Sequence, residues 1–309
     1  KGERGSNTMG PSSYGKINRD GDASTTGQST SSGSGKCTGS DPSQCDLPGQ
    51  NYIGNMLTNS IIYNGYIYVM GGCTNNSCST TSRNIIYASL DTDGSITKPA
   101  TCPDGSFQGG TWCYVSNSLP TSGLAAASPV VFGGRMYLIG GLSGSGGNVN
   151  RIIRADLKED GSFTPWVSQS LSGVGGTNVS YTYAYARANP SGVSSTPGNL
   201  YIFGGCTSSS SVGCTNYTQN VYKCNIAASD GAISGCSTSG QLQVGTVPGA
   251  SGTGIGIMSG TVYANYIYLI GGVAPSLVDM KTVRYAKFDN NNNVVSVNGS
   301  GWIESPNQM

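Results

Sequence analysis

Tyr68-Val69-Met70-Gly71-Gly72 recurs as Tyr137-Leu138-Ile139-Gly140-Gly141, Tyr201-Ile202-Phe203-Gly204-Gly205 and Tyr268-Leu269-Ile270-Gly271-Gly272. The second glycines lie 69, 64 and 67 residues apart, a regular spacing that marks a repeat architecture. Each copy reads as an apolar strand stopped by glycine, which tolerates the positive backbone angles of a sharp exit. Working outward, a turn precedes each copy: Asn64-Gly65, Gly133-Gly134, Pro197-Gly198-Asn199 and Ala264-Asn265. A second theme follows each, at Tyr87-Ala88-Ser89-Leu90, Arg154-Ala155-Asp156-Leu157, Lys223-Cys224-Asn225-Ile226 and Tyr285-Ala286-Lys287-Phe288. In it a small and a larger apolar residue stand two apart and so share one face of a pleated strand.

Beyond that strand the chain turns at Asp93-Gly94, Asp160-Gly161 and Asp230-Gly231, with an asparagine run from Asn290 to Asn293 in the fourth copy. Asp-Gly between alternating segments is a strong hairpin signal. Adding a strand before each turn (Ser60 to Tyr63, Ser128 to Phe132, Tyr181 to Ala188, Ile257 to Tyr263) and one after each Asp-Gly gives four strands per repeat. Four strands repeated about a centre is the pattern of a propeller blade. The glycine doublets, the Asn64-Gly65 type of turn and tryptophans after the hairpin at Trp112, Trp166 and Trp302 resemble the kelch repeat, in the long form found in bacterial extracellular proteins. The third repeat lacks its tryptophan, and the family more often has more than four blades. The resemblance implies an all-β propeller over roughly residues 52 to 305; it implies no activity, because folds of this kind host unrelated functions.

The expected organisation is an N-terminal arm over 1–50 and a propeller over 51–309, with blades near 52–120, 121–178, 179–250 and 251–309. With 16 basic against 15 acidic side chains the chain has no field to attract a polyanion, which argues against nucleic acid as a partner. No apolar run approaches the roughly 18 residues of a membrane span. A chain beginning at Lys1 fits one that has lost a secretory leader by processing.

The ten cysteines fall into close pairs: Cys37 with Cys45, Cys73 with Cys78, Cys102 with Cys113, Cys206 with Cys214, and Cys224 with Cys236. None lies in a Cys-x-x-Cys and there is no histidine, so local disulfides in an oxidising compartment fit better than zinc. Cys224 takes the small-residue place filled elsewhere by Ala88, Ala155 and Ala286, which puts Cys236 across the Asp230-Gly231 hairpin.

The arm is rich in Gly, Ser and Thr and reads as linker. Asn18, Asp20 and Asp22 alternate like the start of a calcium loop, but the twelfth position is Ser29 rather than an acid, so a polar turn competes with calcium there. Sequons stand at Asn75, Asn178, Asn216 and Asn298, each a candidate for glycosylation.

The lack of histidine removes Ser-His-Asp and Cys-His catalysis, and the copper chemistry of some kelch-like propellers. A carboxylate glycosidase mechanism survives, although the glutamates are only Glu3, Glu159 and Glu304. The singular constellation is Tyr181, Tyr183, Tyr185 and Arg187, which a period of two puts on one face. That face fits sugar rings or a partner protein; alternatively, it fills the layer between blades. The expectation is a cofactor-free, non-enzymatic extracellular or cell-surface structural or adhesive protein, polymerised with copies of itself through the arm. A monomeric carbohydrate-binding propeller is the alternative, and a glycosidase the third reading.

Overall fold

The computed structural model describes residues 16–17, 23–24, 57–75, 78–100, 102, 112–116, 118–120, 122–144, 147–171, 179–190, 196–210, 213–242, 254–276, 278–295 and 302–305. In the arm, β1 (Lys16–Ile17) and β2 (Ala23–Ser24) pair antiparallel as a two-stranded sheet of their own. Blade 1 runs β3 (Asn59–Tyr63), β4 (Tyr66–Met70), β5 (Ile85–Leu90), and then a fourth strand in two pieces, β6 (Ile96–Thr97) and β7 (Cys113–Val115), both paired to β5. Blade 2 is a plain meander of β8 (Ser128–Phe132), β9 (Arg135–Ile139), β10 (Arg151–Asp156) and β11 (Val167–Ser170).

Blade 3 has β12 (Tyr183–Ala188) and β13 (Gly198–Phe203), a side hairpin of β14 (Cys206–Ser210) and β15 (Gly213–Tyr217), then β16 (Asn220–Ile226) and β17 (Ile233–Gln241). Blade 4 repeats the plan with β18 (Ser259–Tyr263), β19 (Tyr266–Ile270), a short side pair β20 (Val273–Ala274) and β21 (Val278–Asp279), and β22 (Val283–Phe288). Its fourth strand is again split, into β23 (Val294–Val295) and β24 (Ile303–Glu304). The chain is an all-β, four-bladed propeller.

Two of the expected first strands begin too early. The expected strands start at Tyr181 and Ile257, but both residues have φ of 55° and stand outside the pleat. They belong to a set with Leu57 (φ 54°) and Ala126 (φ 51°), one before each blade. The set is linked around the axis: Ala126 N–H donates to Leu57 O (2.9 Å), Tyr181 N–H to Ala126 O (3.1 Å) and Ile257 N–H to Tyr181 O (2.9 Å). Left-handed backbone at non-glycine residues costs about 1–3 kcal/mol each; here it turns successive N–H and C=O groups toward the neighbouring blade.

The glycine doublets serve the same hub. Gly72, Gly141 and Gly205 donate their N–H to Leu124, Val179 and Ile255, each at 2.8 Å and each on the approach to the next blade. At Gly140, which has φ of 63°, a Cβ would stand 2.0 Å from the Val179 carbonyl oxygen. Glycine is therefore required there by both backbone angle and space.

The core lies between blades. Tyr68, Met70 and Tyr87 of blade 1 meet Met136, Leu138 and Ile153 of blade 2. Tyr137, Ile139 and Ile152 of blade 2 meet Ala184, Leu200 and Ile202 of blade 3. Tyr201, Phe203 and Val221 of blade 3 meet Ile267, Leu269 and Ala286 of blade 4. Apolar burial in these layers, at roughly 25 cal/mol per Å², is the main favourable term holding the blades together.

Candidate functional site

The recurring tyrosine of the strand before the glycine doublet is more than filler. Its ring is buried between blades, and its hydroxyl donates to a carbonyl in the hairpin of the following blade: Tyr68 to Gly161 O at 2.9 Å, Tyr137 to Gly231 O at 3.1 Å, and Tyr201 to Asn292 O. Burial pushes the Tyr137 phenol up to about 12, and raises Tyr68 and Tyr201 in the same direction. The acceptor is a left-handed turn residue in every case, with φ of 82° at Gly161, 72° at Gly231 and 57° at Asn292. That conformation aims the carbonyl back at the preceding blade.

Cations reinforce two of these joints. Arg154 donates through Nε to Asp230 O at 3.0 Å and through Nη2 to the Asp230 carboxylate at 2.9 Å. Lys223 Nζ donates to Asn291 O and to Asn293 Oδ1, both at 3.0 Å. In blade 1 the corresponding residue is Tyr87, which stacks on Tyr68 at 5.7 Å and receives Phe163 of blade 2 edge-on at 6.3 Å.

The fourth joint is different. Tyr268 holds the equivalent place in blade 4, yet among the described residues its hydroxyl has no hydrogen-bond partner, and Tyr266, Tyr268, Ile270 and Tyr285 are only half-buried. The hairpin that would follow in the ring is Asp93-Gly94 of blade 1. A Cβ placed on Gly94 would meet nothing within 4 Å, whereas on Gly161 it would lie 2.5 Å from the Tyr66 ring and on Gly231 2.4 Å from the Tyr137 hydroxyl. The blade 1 face that should meet blade 4 forms a separate cluster of Ile67, Val69, Ile86, Ala88 and Trp112, which includes none of the blade 4 tyrosines.

Blade 4 nonetheless keeps the receiving geometry. Tyr266, Tyr268 and Tyr285 have centroid separations of 6.5, 6.4 and 5.7 Å. The trio Tyr66, Tyr68 and Tyr87, which holds Phe163, has 6.4, 6.4 and 5.7 Å. Among the described residues this trio holds no hairpin, which leaves an aromatic seat at the blade 4 edge of the seam.

No family model matches the chain, and no curated protein matches it. Among solved structures the chain is similar to one described as "Structure of YjhT", with 13% identity and a TM-score of 0.49 over 86% of this chain and 70% of that one.

The face of Tyr181, Tyr183, Tyr185 and Arg187, for which sugars, a partner protein and the layer between blades are the competing readings, is divided between hub and interblade packing. Tyr181 is 3% exposed and plugs the hub against Cys206, Cys214 and Tyr217, off the strand altogether. Tyr183 is 4% exposed in the layer between blades 3 and 4. Tyr185 lies 6.1 Å from the Phe288 ring, and Arg187 sits 4.9 Å over it while donating to Asn265 Oδ1 at 2.7 Å. These side chains bind blade 4 to blade 3 and do not converge on an open surface.

Four expected disulfides are formed, Cys73–Cys78, Cys102–Cys113, Cys206–Cys214 and Cys224–Cys236; Cys37 and Cys45 lie outside the described residues. The pairs 73–78 and 206–214 brace the loops beside the hub. Of the sequons, Asn216 is exposed on β15, while the Asn75 amide is taken up by Ser79 and Thr80 at 2.8 and 3.0 Å. Asn178 and Asn298 are outside the described residues, as are the calcium candidates Asn18, Asp20 and Asp22. Glu159 lies exposed in the blade 2 hairpin and Glu304 pairs with Arg284 at 2.7 Å, so these two carboxylates serve different blades.

Proposed function

We propose that this chain is a non-enzymatic structural subunit of an extracellular fibre or surface appendage, in which the N-terminal arm of one copy engages the propeller of the next, and that its repeats are of the kelch type. The observation that carries this reading is the surplus of the arm. Four complete four-stranded sheets are built from residues 59–304 without it, and its two described strands pair only with each other. A segment that stands outside the blade sheets is the raw material of strand or hairpin exchange between copies. A contact that joins one surface to a different surface need not close, and so makes filaments.

The oxidised loops fit a protein that persists outside a cell, where disulfides are stable. The exposed Asn216 side chain is the best placed of the described sequons to carry a glycan. Electron microscopy of unreduced protein tests the reading: ordered filaments with an axial repeat near one propeller width are expected, and they should vanish when residues 1–35 are deleted. Filaments that survive the deletion would overturn it.

A further inference from the structure

The arm carries a spare copy of the hairpin that the seam lacks. In β1 and β2, Ile17 pairs with Ala23, six residues on, across Asn18-Arg19-Asp20-Gly21-Asp22. Three of the four blade hairpins have the same spacing: Leu90 pairs with Ile96 around Asp93-Gly94, Leu157 with Phe163 around Asp160-Gly161, and Phe288 with Val294 around Asn291-Asn292, while in blade 3 Ile226 pairs with Ile233, seven residues on. In the arm and in those three blades Asp or Asn stands three residues after the first partner and Gly or Asn four after it. Gly161 and Asn292, at that fourth place, are the residues whose carbonyls receive Tyr68 and Tyr201. Gly21 stands at the same place in the arm.

From this the geometry points to a specific joint. The segment Ile17–Ala23 of one copy seats on Tyr266, Tyr268 and Tyr285 of a second copy. The proposal rests on the assembly reading above and names its acceptor surface. Three features identify the occupant. The seat has the same ring separations as one that already holds a hairpin, a Cβ on Gly94 in the hairpin of the next blade would meet nothing within 4 Å, and the two described arm strands pair with none of the blade sheets. Among the described residues, then, the blade 4 seat holds no hairpin and the arm strands join no blade sheet, a mismatch that two copies satisfy head to tail.

Complementation between two full-length-derived variants tests it. One lacks residues 1–24 and keeps the seat; the other keeps the arm and carries Tyr268→Asp, with Tyr285→Asp as a second seat variant in case the first is unstable. Sedimentation of the wild type should show self-association rising with concentration, and each variant alone should stay monomeric. An equimolar mixture should give 1:1 dimers that grow no further, since only one hairpin and one seat remain usable; a misfolded variant cannot produce that gain. If both seat variants associate like wild type while the deletion does not, this joint is wrong and the arm-based assembly stands. If the deletion also associates, both readings fail. A wild type that stays monomeric, with Tyr268 protected only when its own arm is present, would show the hairpin seated within one chain and overturn the proposal.

Discussion

The Tyr137 hydroxyl of blade 2 donates to the Gly231 carbonyl of blade 3 at 3.1 Å, from a ring that is 1% exposed. Tyr268, the same residue of the repeat in blade 4, two joints further round, has no such acceptor among the described residues. The contrast gives a paired expectation. Tyr137→Phe leaves a buried carbonyl unsatisfied and should cost about 1–2 kcal/mol, whereas Tyr268→Phe should leave the melting temperature of dilute protein unchanged. Thermal denaturation of the two variants side by side measures the difference.

Substitution at the doublets should be far harsher than at the turns. Gly140→Ala drives a Cβ into the Val179 carbonyl, and should cost more than about 3 kcal/mol, in the exceptional tail of single substitutions. Gly133→Ala has a similar φ, 57°, but open space around it, so only the left-handed backbone is paid for, at about 1–2 kcal/mol. Urea unfolding of both variants separates the steric cost from the conformational one.

Stability should fall at both ends of the pH scale for different reasons. Hairpin carboxylates sit below their ordinary range: Asp160 chiefly through the Ser162 hydroxyl and amide, and Asp230 chiefly through the Ala232 amide with help from Arg154. A depressed folded pKa contributes stability above the unfolded value of about 3.9, and loses it as pH falls through the folded value. Asp160→Asn should therefore flatten the acid limb of a plot of melting temperature against pH.

At the alkaline end the sign reverses. Burial raises Tyr137 to about 12, so its contribution is complete below the unfolded value of about 10, and is lost as pH climbs from there toward 12. Ultraviolet titration should show a late-titrating group of tyrosines whose ionisation coincides with unfolding.

Tyr183→Ala should destabilise the fold by about 3–5 kcal/mol, as expected for a large buried ring, and should not selectively abolish any glycan signal. A glycan array read beside a melting curve distinguishes a packing residue from a ligand-stacking one. Glycan binding by wild type that disappears in a still-folded Tyr183→Ala protein would revive the carbohydrate reading.

Much of the fold was legible because its signals are local and repeat. Strand, glycine doublet and Asp-Gly turn each declare themselves within a few residues, and the disulfides join near neighbours. The hub was not legible, since Leu57, Ala126, Tyr181 and Ile257 share a left-handed backbone and a run of three hydrogen bonds but no side-chain chemistry. Alternation alone therefore drew Tyr181 into a strand and onto a face it does not share. The seam was hidden for the opposite reason: Tyr268 looks like its three counterparts in sequence, and only the missing partner sets it apart. The arm hairpin did leave a signal, Asp20-Gly21 between Ile17 and Ala23 at the spacing of the blade hairpins, which the calcium-like alternation of Asn18, Asp20 and Asp22 obscured.

The four described disulfides span only 5, 11, 8 and 12 residues, and none crosses from one blade to another. Each bond can close as soon as its own short stretch has emerged from the synthesis or export machinery, before the following repeat exists. None of these eight cysteines has to wait for a distant partner, so their order of oxidation is their order of emergence and little reshuffling is needed to correct it. Covalent locking is thus finished early and locally, while the joints that give the ring its shape stay non-covalent and free to form last.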